Sequence, residues 1–142
     1  MRRFVMCALV AGLAAAGCAP APAHGEAAGV LREDGAALSR IELSGKNVRT
    51  GDDASGCVPG TRRGLYTITG DLAPGTESSA VATALATELH TMGYQEADGP
   101  DARFGVTVSV LRKNSLDITF TVTLRGRSPN VEVAGMTGCL PA

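Results

Sequence analysis

The residues of this chain with the most distinctive chemistry are its cysteines, at positions 7, 18, 57 and 139. A thiol can be acylated, can pair in a disulfide, or can bind a metal. Cys7 lies inside an apolar run from Phe4 to Ala16 that follows the basic pair Arg2-Arg3. That order of regions is typical of a secretory signal peptide. We therefore expect Cys7 to be removed with residues 1–17, and the other cysteines to act outside the cytoplasm.

Cys18 follows the small residues Ala16 and Gly17, which close the apolar run. This segment resembles the lipobox of bacterial lipoproteins, in which a small residue precedes the cysteine that receives diacylglycerol. Ala15 departs from the lipobox pattern, which usually has Leu at that position. The resemblance implies cleavage before Cys18, acylation of its thiol, and attachment to the lipid bilayer on the extracytoplasmic side. Two or more acyl chains hold a protein on a membrane stably.

Two alternatives for the N-terminus are considered. Ordinary signal peptidase could cut after Ala23, at the small-x-small sequence Ala21-Pro22-Ala23, and the product would then be secreted without lipid. A transmembrane anchor needs about 20 apolar residues, and the run that ends at Ala16 is shorter than that. Residues 18–28 are expected to form the lipidated cysteine and a short flexible tether. The tether is expected because this segment is rich in Pro, Ala and Gly. Residues 29–142 are expected to form a single domain.

Cys57 and Cys139 remain as an even pair in an oxidising compartment, which predicts a disulfide between them. The bridge would close a loop of about 80 residues, for which the chain-entropy estimate is about 4.5 kcal/mol as an upper bound. Two free thiols or a metal pair are the alternatives, but no histidine lies at zinc-site spacing from either cysteine. We predict no metal and no cofactor.

The charge balance gives no indication of a polyanionic partner. The chain has 13 Lys and Arg against 14 Asp and Glu. Without Arg2 and Arg3 the balance is eleven against fourteen, a net charge of −3. A nucleic-acid-binding protein usually has a strongly basic surface. We therefore expect no nucleic acid among the partners.

Hydrophobic periodicity predicts two helices and four strands. The helices are expected over residues 26–42 and over residues 76–92, where Val81, Leu85 and Leu89 fall on one stripe. Alternation of apolar and polar residues predicts strands over residues 64–72, 104–110, 116–124 and 131–136. Residues 44–63 are rich in Gly, Asp and Ser and predict a long loop fastened by Cys57.

The two central strands should form a hairpin with their apolar faces matched. This register pairs Val110 with Ile118, Val108 with Phe120, and Val106 with Val122, and it leaves Lys113, Asn114 and Ser115 as the turn. Both helices would cover the apolar face of the sheet. The predicted fold is α+β, a two-layer sandwich of two helices on a four-stranded, mainly antiparallel sheet.

Taken in this order, Cys18, the helix that ends at Gly93-Tyr94, the Thr/Val-rich hairpin and Cys139 resemble a known group. They are similar to the small actinobacterial lipoproteins of uncharacterised function, which share these features. The resemblance covers most of the chain. It implies a location on the cell membrane and a small α+β fold, and it implies no activity.

Few side chains could carry catalysis. The only histidines are His24, in the predicted tether, and His90, near the end of the second helix. No G-x-S-x-G, H-E-x-x-H, P-loop or dinucleotide motif occurs in the sequence. Asp52-Asp53 lacks the further acidic ligands of an EF-hand and is interpreted as a solvated turn. We therefore predict no catalytic residues and no enzyme activity.

Two surfaces could bind a partner. One is a polar strand face made of hydroxyl side chains: Thr67, Thr69, Thr107, Ser109, Thr119, Thr121 and Thr123. The other is an arginine cluster of Arg103, Arg125 and Arg127 at one hairpin end, which could contact lipid phosphates or block strand addition at the sheet edge. The leading hypothesis is a membrane-anchored, non-enzymatic binding or structural module of the cell envelope. The alternatives are a carrier of a small apolar ligand and an envelope hydrolase.

Overall fold

The computed structural model, which describes residues 20–142, has one antiparallel sheet with both helices packed against it. The predicted signal peptide (residues 1–17) and Cys18 lie outside the described residues. The elements in chain order are α1 (His24–Leu38), β1 (Leu43–Asp53), β2 (Thr61–Leu72), α2 (Ser78–Thr91), β3 (Gln95–Arg103), β4 (Val106–Lys113), a 3₁₀ turn (Asn114–Leu116), β5 (Ile118–Leu124), β6 (Val131–Thr137) and β7 (Leu140–Pro141).

The predicted α+β class is confirmed, but the predicted number of strands is wrong. The sheet has seven strands, of which six lie in the order β1-β2-β6-β5-β4-β3. The short β7 pairs with the start of β2. Consecutive strands of the main sheet pair antiparallel throughout. Two strands, β1 and β3, form the edges of the main sheet. The sequence predicted neither of these edge strands, and it did not predict the short β7.

The second helix matches its prediction. It runs from Ser78 to Thr91 and buries Val81, Leu85 and Leu89, the residues of the predicted stripe. Gly93 follows with a φ of +92°, a conformation that glycine adopts without steric cost and that commonly ends a helix.

The first helix begins and ends earlier than predicted. It spans His24–Leu38, so residues 24–28 belong to its first turns and the predicted flexible tether is wrong for that stretch. Ala27 and Ala28 are buried. A Cβ placed on Gly64 of β2 would lie 3.2 Å from the Cβ of Ala28, which shows how closely helix and strand approach. Small residues make this approach possible, and the same composition had predicted a tether.

Residues 44–63 are not the predicted long loop. Residues 43–53 form β1, which pairs along most of its length with β2. The strand lies at the sheet edge and nearly all of its side chains are exposed, so it shows no alternation of apolar and polar residues. Hydrophobic periodicity arises in a strand when one of its faces is buried, and β1 has no buried face. Only residues 54–60 remain as a loop, and Cys57 lies in it.

The predicted hairpin register between β4 and β5 is wrong by three residues. Ile118 pairs with Lys113, Phe120 with Leu111, and Val122 with Ser109. Because side chains alternate between the two faces of a sheet, an odd shift reverses the face of the whole strand. Val106, Val108 and Val110 therefore lie on the face away from the helices. The turn is also longer than predicted, with a 3₁₀ turn at Asn114–Leu116 and Asp117 in the left-handed conformation.

The core lies between the helices and the sheet. Its fully buried large side chains include Leu31 and Leu38 of α1, Leu89 of α2, and Phe120 of β5. The ring of Tyr94 packs edge-on against Phe120, with 5.3 Å between the ring centroids. The disulfide between Cys57 and Cys139 is present as predicted, with 5.6 Å between the two Cα atoms, and it joins the 54–60 loop to the C-terminal segment.

Candidate interaction surface

One face of the six-stranded sheet carries no helix from residues 20–142, because α1 and α2 both pack on the other face. We call it the open face and define it by the side chains of its four central strands: Leu65, Thr67 and Thr69 of β2; Glu132, Ala134 and Met136 of β6; Thr119, Thr121 and Thr123 of β5; and Val108, Val110 and Arg112 of β4. These side chains are partly or fully exposed. The centre of the face is made of small, β-branched and aliphatic side chains.

The structure brings together most of the threonines predicted to share a surface. Thr67, Thr69, Thr119, Thr121 and Thr123 lie on the open face, linked through β6 by the strand register. The other two predicted members do not join them. Thr107 and Ser109 lie on the helix side, because the β4 register reverses that strand. Valines take their places, so the open face is more apolar than predicted.

The predicted arginine cluster lies at the end of β5 but is largely paired. Arg103 lies 3.2 Å from a carboxylate oxygen of Asp101, and Arg125 donates a 2.9 Å hydrogen bond to Glu132. Arg127 is exposed. Two of the three guanidinium groups are therefore already neutralised within the domain.

Phe104 was predicted to begin a strand over residues 104–110, but it lies outside β4 and is the most exposed large apolar residue in the described part of the chain. It lies in the tight turn between β3 and β4, followed by Gly105. Its φ is +52°, which is unusual for a bulky side chain. Phe104, Arg125 and Arg127 line a surface depression of about 590 Å³. This is a recess on the surface at one corner of the sheet, not an enclosed cavity.

The space between helix and sheet does not favour the carrier hypothesis. A groove beside α2 has a volume of about 170 Å³ and is lined by Ala82 and Ala86 of the helix and by Thr107, Ser109 and Leu111 of β4. Sites for small molecules usually enclose about 300–1,000 Å³. The groove exists because the alanine side chains are small. Leu111, at the bottom of the groove, is already buried by other residues of the protein.

His24 is a buried helix residue and not part of a tether. It is 4% exposed, and its Nε2 lies 3.1 Å from Oδ1 of Asp52. Its Nδ1 has no hydrogen-bond partner among the residues that the structure describes. The contact joins the first residue of α1 to the end of β1. Sequence reasoning missed this pairing because β1 was not predicted.

The neighbouring residues Asp52 and Asp53 have different contacts, because side chains alternate between the two faces of a strand. Asp52 faces His24, whereas Asp53 accepts hydrogen bonds from the hydroxyl and the backbone N–H of Ser55. These bonds lower the pKa of the Asp53 carboxyl, and Arg63 adds a smaller effect in the same direction. Within residues 20–142, no group of three or more His, Cys, Asp or Glu side chains is placed to hold a metal.

His90 is half-exposed near the end of α2. Its Nδ1 lies 3.1 Å from the carbonyl oxygen of Tyr94, and its Nε2 lies 3.9 Å from Glu96. These contacts fasten the end of the helix to the start of β3. Neither contact involves a hydroxyl or a thiol that could serve as a nucleophile.

Asp34, Tyr94 and Lys113 form a polar cluster at the edge of the core. Oδ2 of Asp34 accepts hydrogen bonds from the Tyr94 hydroxyl, at 2.8 Å, and from the Lys113 ammonium, at 2.9 Å. The ammonium also lies 4.6 Å from the centre of the Tyr94 ring. Burial, followed by the bond to Asp34, raises the pKa of the Tyr94 hydroxyl. No sequence pattern indicated this cluster, because its members come from three separate elements.

No protein-family model, no curated protein and no solved structure matches this chain. The resemblance to small actinobacterial lipoproteins therefore stays a prediction from the sequence. Neither helix in residues 20–142 has the length and apolar character needed to cross a membrane.

Proposed function

We propose that this protein is an exported lipoprotein, anchored by an acylated Cys18, that serves as a non-enzymatic binding module of the cell envelope. Its docking surface is the open face of the sheet. The observation that carries the proposal is that face itself, a broad surface of threonines, valines and alanine that the described helices leave uncovered. Uncovered surfaces that are apolar at the centre and charged at the rim are typical of protein interaction sites.

Export is supported by two independent features. The N-terminal residues have the order of a signal peptide. The Cys57–Cys139 disulfide suits an oxidising compartment, because disulfides rarely persist in the reducing cytoplasm.

Anchoring at Cys18, rather than secretion after a cut at Ala23, is supported by the start of α1. The carbonyl oxygen of Ala23 accepts a 3.1 Å hydrogen bond from the N–H of Ala27, in the first turn of the helix. A cut after Ala23 would remove that acceptor. It would also place a new ammonium group on the buried His24, at the helix end where positive charge is unfavourable. A cut before Cys18 leaves the whole turn intact.

A non-enzymatic role is supported by the partners of the titratable side chains. His24 bonds to Asp52, His90 bonds to a backbone carbonyl, and Asp34 bonds to Tyr94 and Lys113. Each contact joins two elements of the fold. A catalytic site needs such groups to converge on one cavity beside a nucleophile or a substrate.

The anchor is tested by the mass of the membrane-extracted protein. We expect a chain that begins at Cys18 and carries acyl groups, and we expect Cys18→Ala to release the protein from membranes. A soluble wild-type product that begins at His24 would contradict the lipid anchor and leave the binding module open to test.

The docking surface is tested by photo-crosslinking in living cells. A photoreactive amino acid is placed at Thr121, in the centre of the open face, and at Thr87, an exposed threonine of α2, as the matched control. We expect a specific crosslinked product from position 121 and none from position 87. Equal labelling at both positions, or none at either, would contradict the open face as a docking surface.

A further inference from the structure

We propose that the partner of the open face is a second copy of this chain, packed face to face about a two-fold axis that runs parallel to the strands. The inference rests on the proposed function and names the partner of the same surface. It is carried by the order of charges in a single row of side chains that crosses all six strands of the main sheet.

That row can be followed through the strand register. Arg49 of β1 pairs with Thr67, which pairs in turn with Ala134 of β6. The row continues through Thr121 and Val110 to Asp98 of β3. Directly paired residues point to the same face of a sheet. The row is therefore basic at one end, uncharged across its middle, and acidic at the other end.

The two charges that end the row are free to bind a partner. Both Arg49 and Asp98 are exposed, and neither forms an ion pair with any residue in the described part of the chain. Among the described residues, the only hydrogen bond to the Asp98 carboxylate comes from the backbone N–H of Gly99. The charged residues on the middle strands are differently placed. Arg125 already satisfies Glu132, and Nε of Arg112 lies 3.3 Å from the hydroxyl of Thr119.

A two-fold axis between β5 and β6 makes this row complementary to itself. Rotation about the axis turns the second copy over and reverses its strand order, so that β1 of one copy lies over β3 of the other. Arg49 of each copy then faces Asp98 of the other, and Thr67 faces Val110. At the centre, Thr121 faces Ala134. Isologous contacts of this kind are the commonest arrangement in protein dimers.

The next row of the face shares the acidic end of the first row, but its other end is neutral and Glu132 lies in its middle. Asn47 pairs with Thr69, and at the other end of the sheet Val108 pairs with Asp101. The same rotation puts Asn47 opposite Asp101 and Thr69 opposite Val108. Threonine and valine have nearly the same shape, so their contacts across the axis fill the interface. Glu132 faces Thr123 of the other copy in this row, and its carboxylate accepts a hydrogen bond from Arg125 of its own copy.

The size of the face suits a dimer of moderate affinity. Six strands spaced about 4.8 Å apart, with strands of about seven residues, give a face of roughly 24 by 23 Å, or about 550 Å² on each copy. Standard interfaces bury about 800 Å² per partner, and smaller ones are typical of weaker complexes. Two copies of one twisted sheet can pack with their strands aligned to within about 30°.

Charge reversal at the two ends of the row tests the arrangement. The processed protein is extracted from membranes, and dimer dissociation is measured by sedimentation. We expect Arg49→Asp and Asp98→Arg each to weaken the dimer by about tenfold or more, because each places like charges opposite one another. The double variant should return to within about threefold of wild type. Arg40→Asp, which changes an exposed arginine beyond the end of α1, should have no effect.

Cysteine crosslinking in intact cells separates this inference from the proposed function. Ala134→Cys places a thiol beside the axis, and a short bismaleimide should join two copies of this variant. Two results would show that the partner is not a second copy: crosslinking to a different protein, or a dimer whose dissociation is unchanged by both charge reversals. Either result would leave the open face as a docking surface. No crosslink to any protein would overturn both.

Discussion

The hydroxyl of Tyr94 donates a 2.8 Å hydrogen bond to Oδ2 of Asp34, a residue that precedes it by 60 positions in the chain. Asp34 lies in the last turns of α1, and Tyr94 lies between α2 and β3. The same carboxylate oxygen accepts a hydrogen bond from Lys113, at the end of β4. Three elements that are distant in sequence therefore meet at one oxygen atom, which fixes how the helices lie over the sheet.

We expect Tyr94→Phe to lower the free energy of unfolding by about 1–2 kcal/mol, because it removes a hydrogen bond to a charged group. Asp34→Ala should cost more, about 3 kcal/mol, since it leaves the mostly buried Lys113 ammonium without its counter-ion. Equilibrium urea unfolding measures both values. If Asp34→Ala cost no more than Tyr94→Phe, the carboxylate would not be the centre of this cluster.

The raised pKa of Tyr94 predicts a loss of stability at high pH. Below pH 10 the hydroxyl is protonated in both states, and its full contribution to stability is present. Above about pH 10 an unfolded tyrosine loses its proton, whereas native Tyr94 retains it, because burial and Asp34 raise its pKa. The free energy of unfolding should then fall by up to about 1.4 kcal/mol per pH unit.

Urea unfolding of wild type and Tyr94→Phe between pH 8 and 11 measures this effect. The difference in stability between the two proteins isolates Tyr94, because every other titrating group is common to both. We expect the wild type to lose its advantage as pH rises through the alkaline range. A difference that is constant across the series would show that Tyr94 does not contribute to the pH dependence.

Elements with one buried face could be predicted from the sequence. The stripe of α2 and the alternation of β5 report burial directly, and both elements have the predicted positions. The disulfide followed from counting cysteines. The edge strands β1 and β3 could not be predicted in this way, since their exposed residues show no periodicity and are held by hydrogen bonds to one neighbouring strand.

The candidate site depended on the part of the sequence that was hardest to interpret. Both faces of β4 carry β-branched or apolar residues, so matching Val110 to Ile118 looked as favourable as the true register. What decides the register is Leu111, which is buried beside Phe120, and Lys113, which reaches Asp34 in α1. These are tertiary contacts, and a single sequence does not display them. The valines of the open face were consequently assigned to the core.

The disulfide should contribute a large share of the stability. Replacing Cys57 and Cys139 together with serine should lower the free energy of unfolding by about 3 kcal/mol, less than the loop-closure limit of about 4.5 kcal/mol. Urea unfolding of the double variant measures the loss. Reduction of the wild type should produce the same change, and reductant should have no effect on the variant. A reductant effect on the variant would mean that another bond is involved.

Phe104 occupies a position at which its side chain is a local disadvantage. It and Gly105 both have positive φ, the requirement of a two-residue type I′ turn, for which Asn-Gly is the preferred sequence. Phe104→Asn should therefore raise the free energy of unfolding by about 1 kcal/mol. Val58→Asn, at another exposed apolar residue whose own φ is not positive, is the matched control and should change stability little. If the two substitutions had equal effects on stability, the gain at position 104 would come from the added polarity and not from the backbone conformation.

Two glycines of α1 should respond in opposite directions to the same substitution. A Cβ at Gly29 would meet no heavy atom within 4 Å, whereas a Cβ at Gly35 would lie 2.5 Å from the ring of Tyr66. Gly29→Ala should stabilise the protein by about 0.5–1 kcal/mol, because alanine restricts the unfolded chain and favours the helix. Gly35→Ala should destabilise it by about 1–3 kcal/mol, because helix or ring must move to accept the methyl group. Urea unfolding of both variants provides the comparison, and each serves as the control for the other. Stabilisation by both would mean that α1 does not approach β2 as closely as the Tyr66 contact requires.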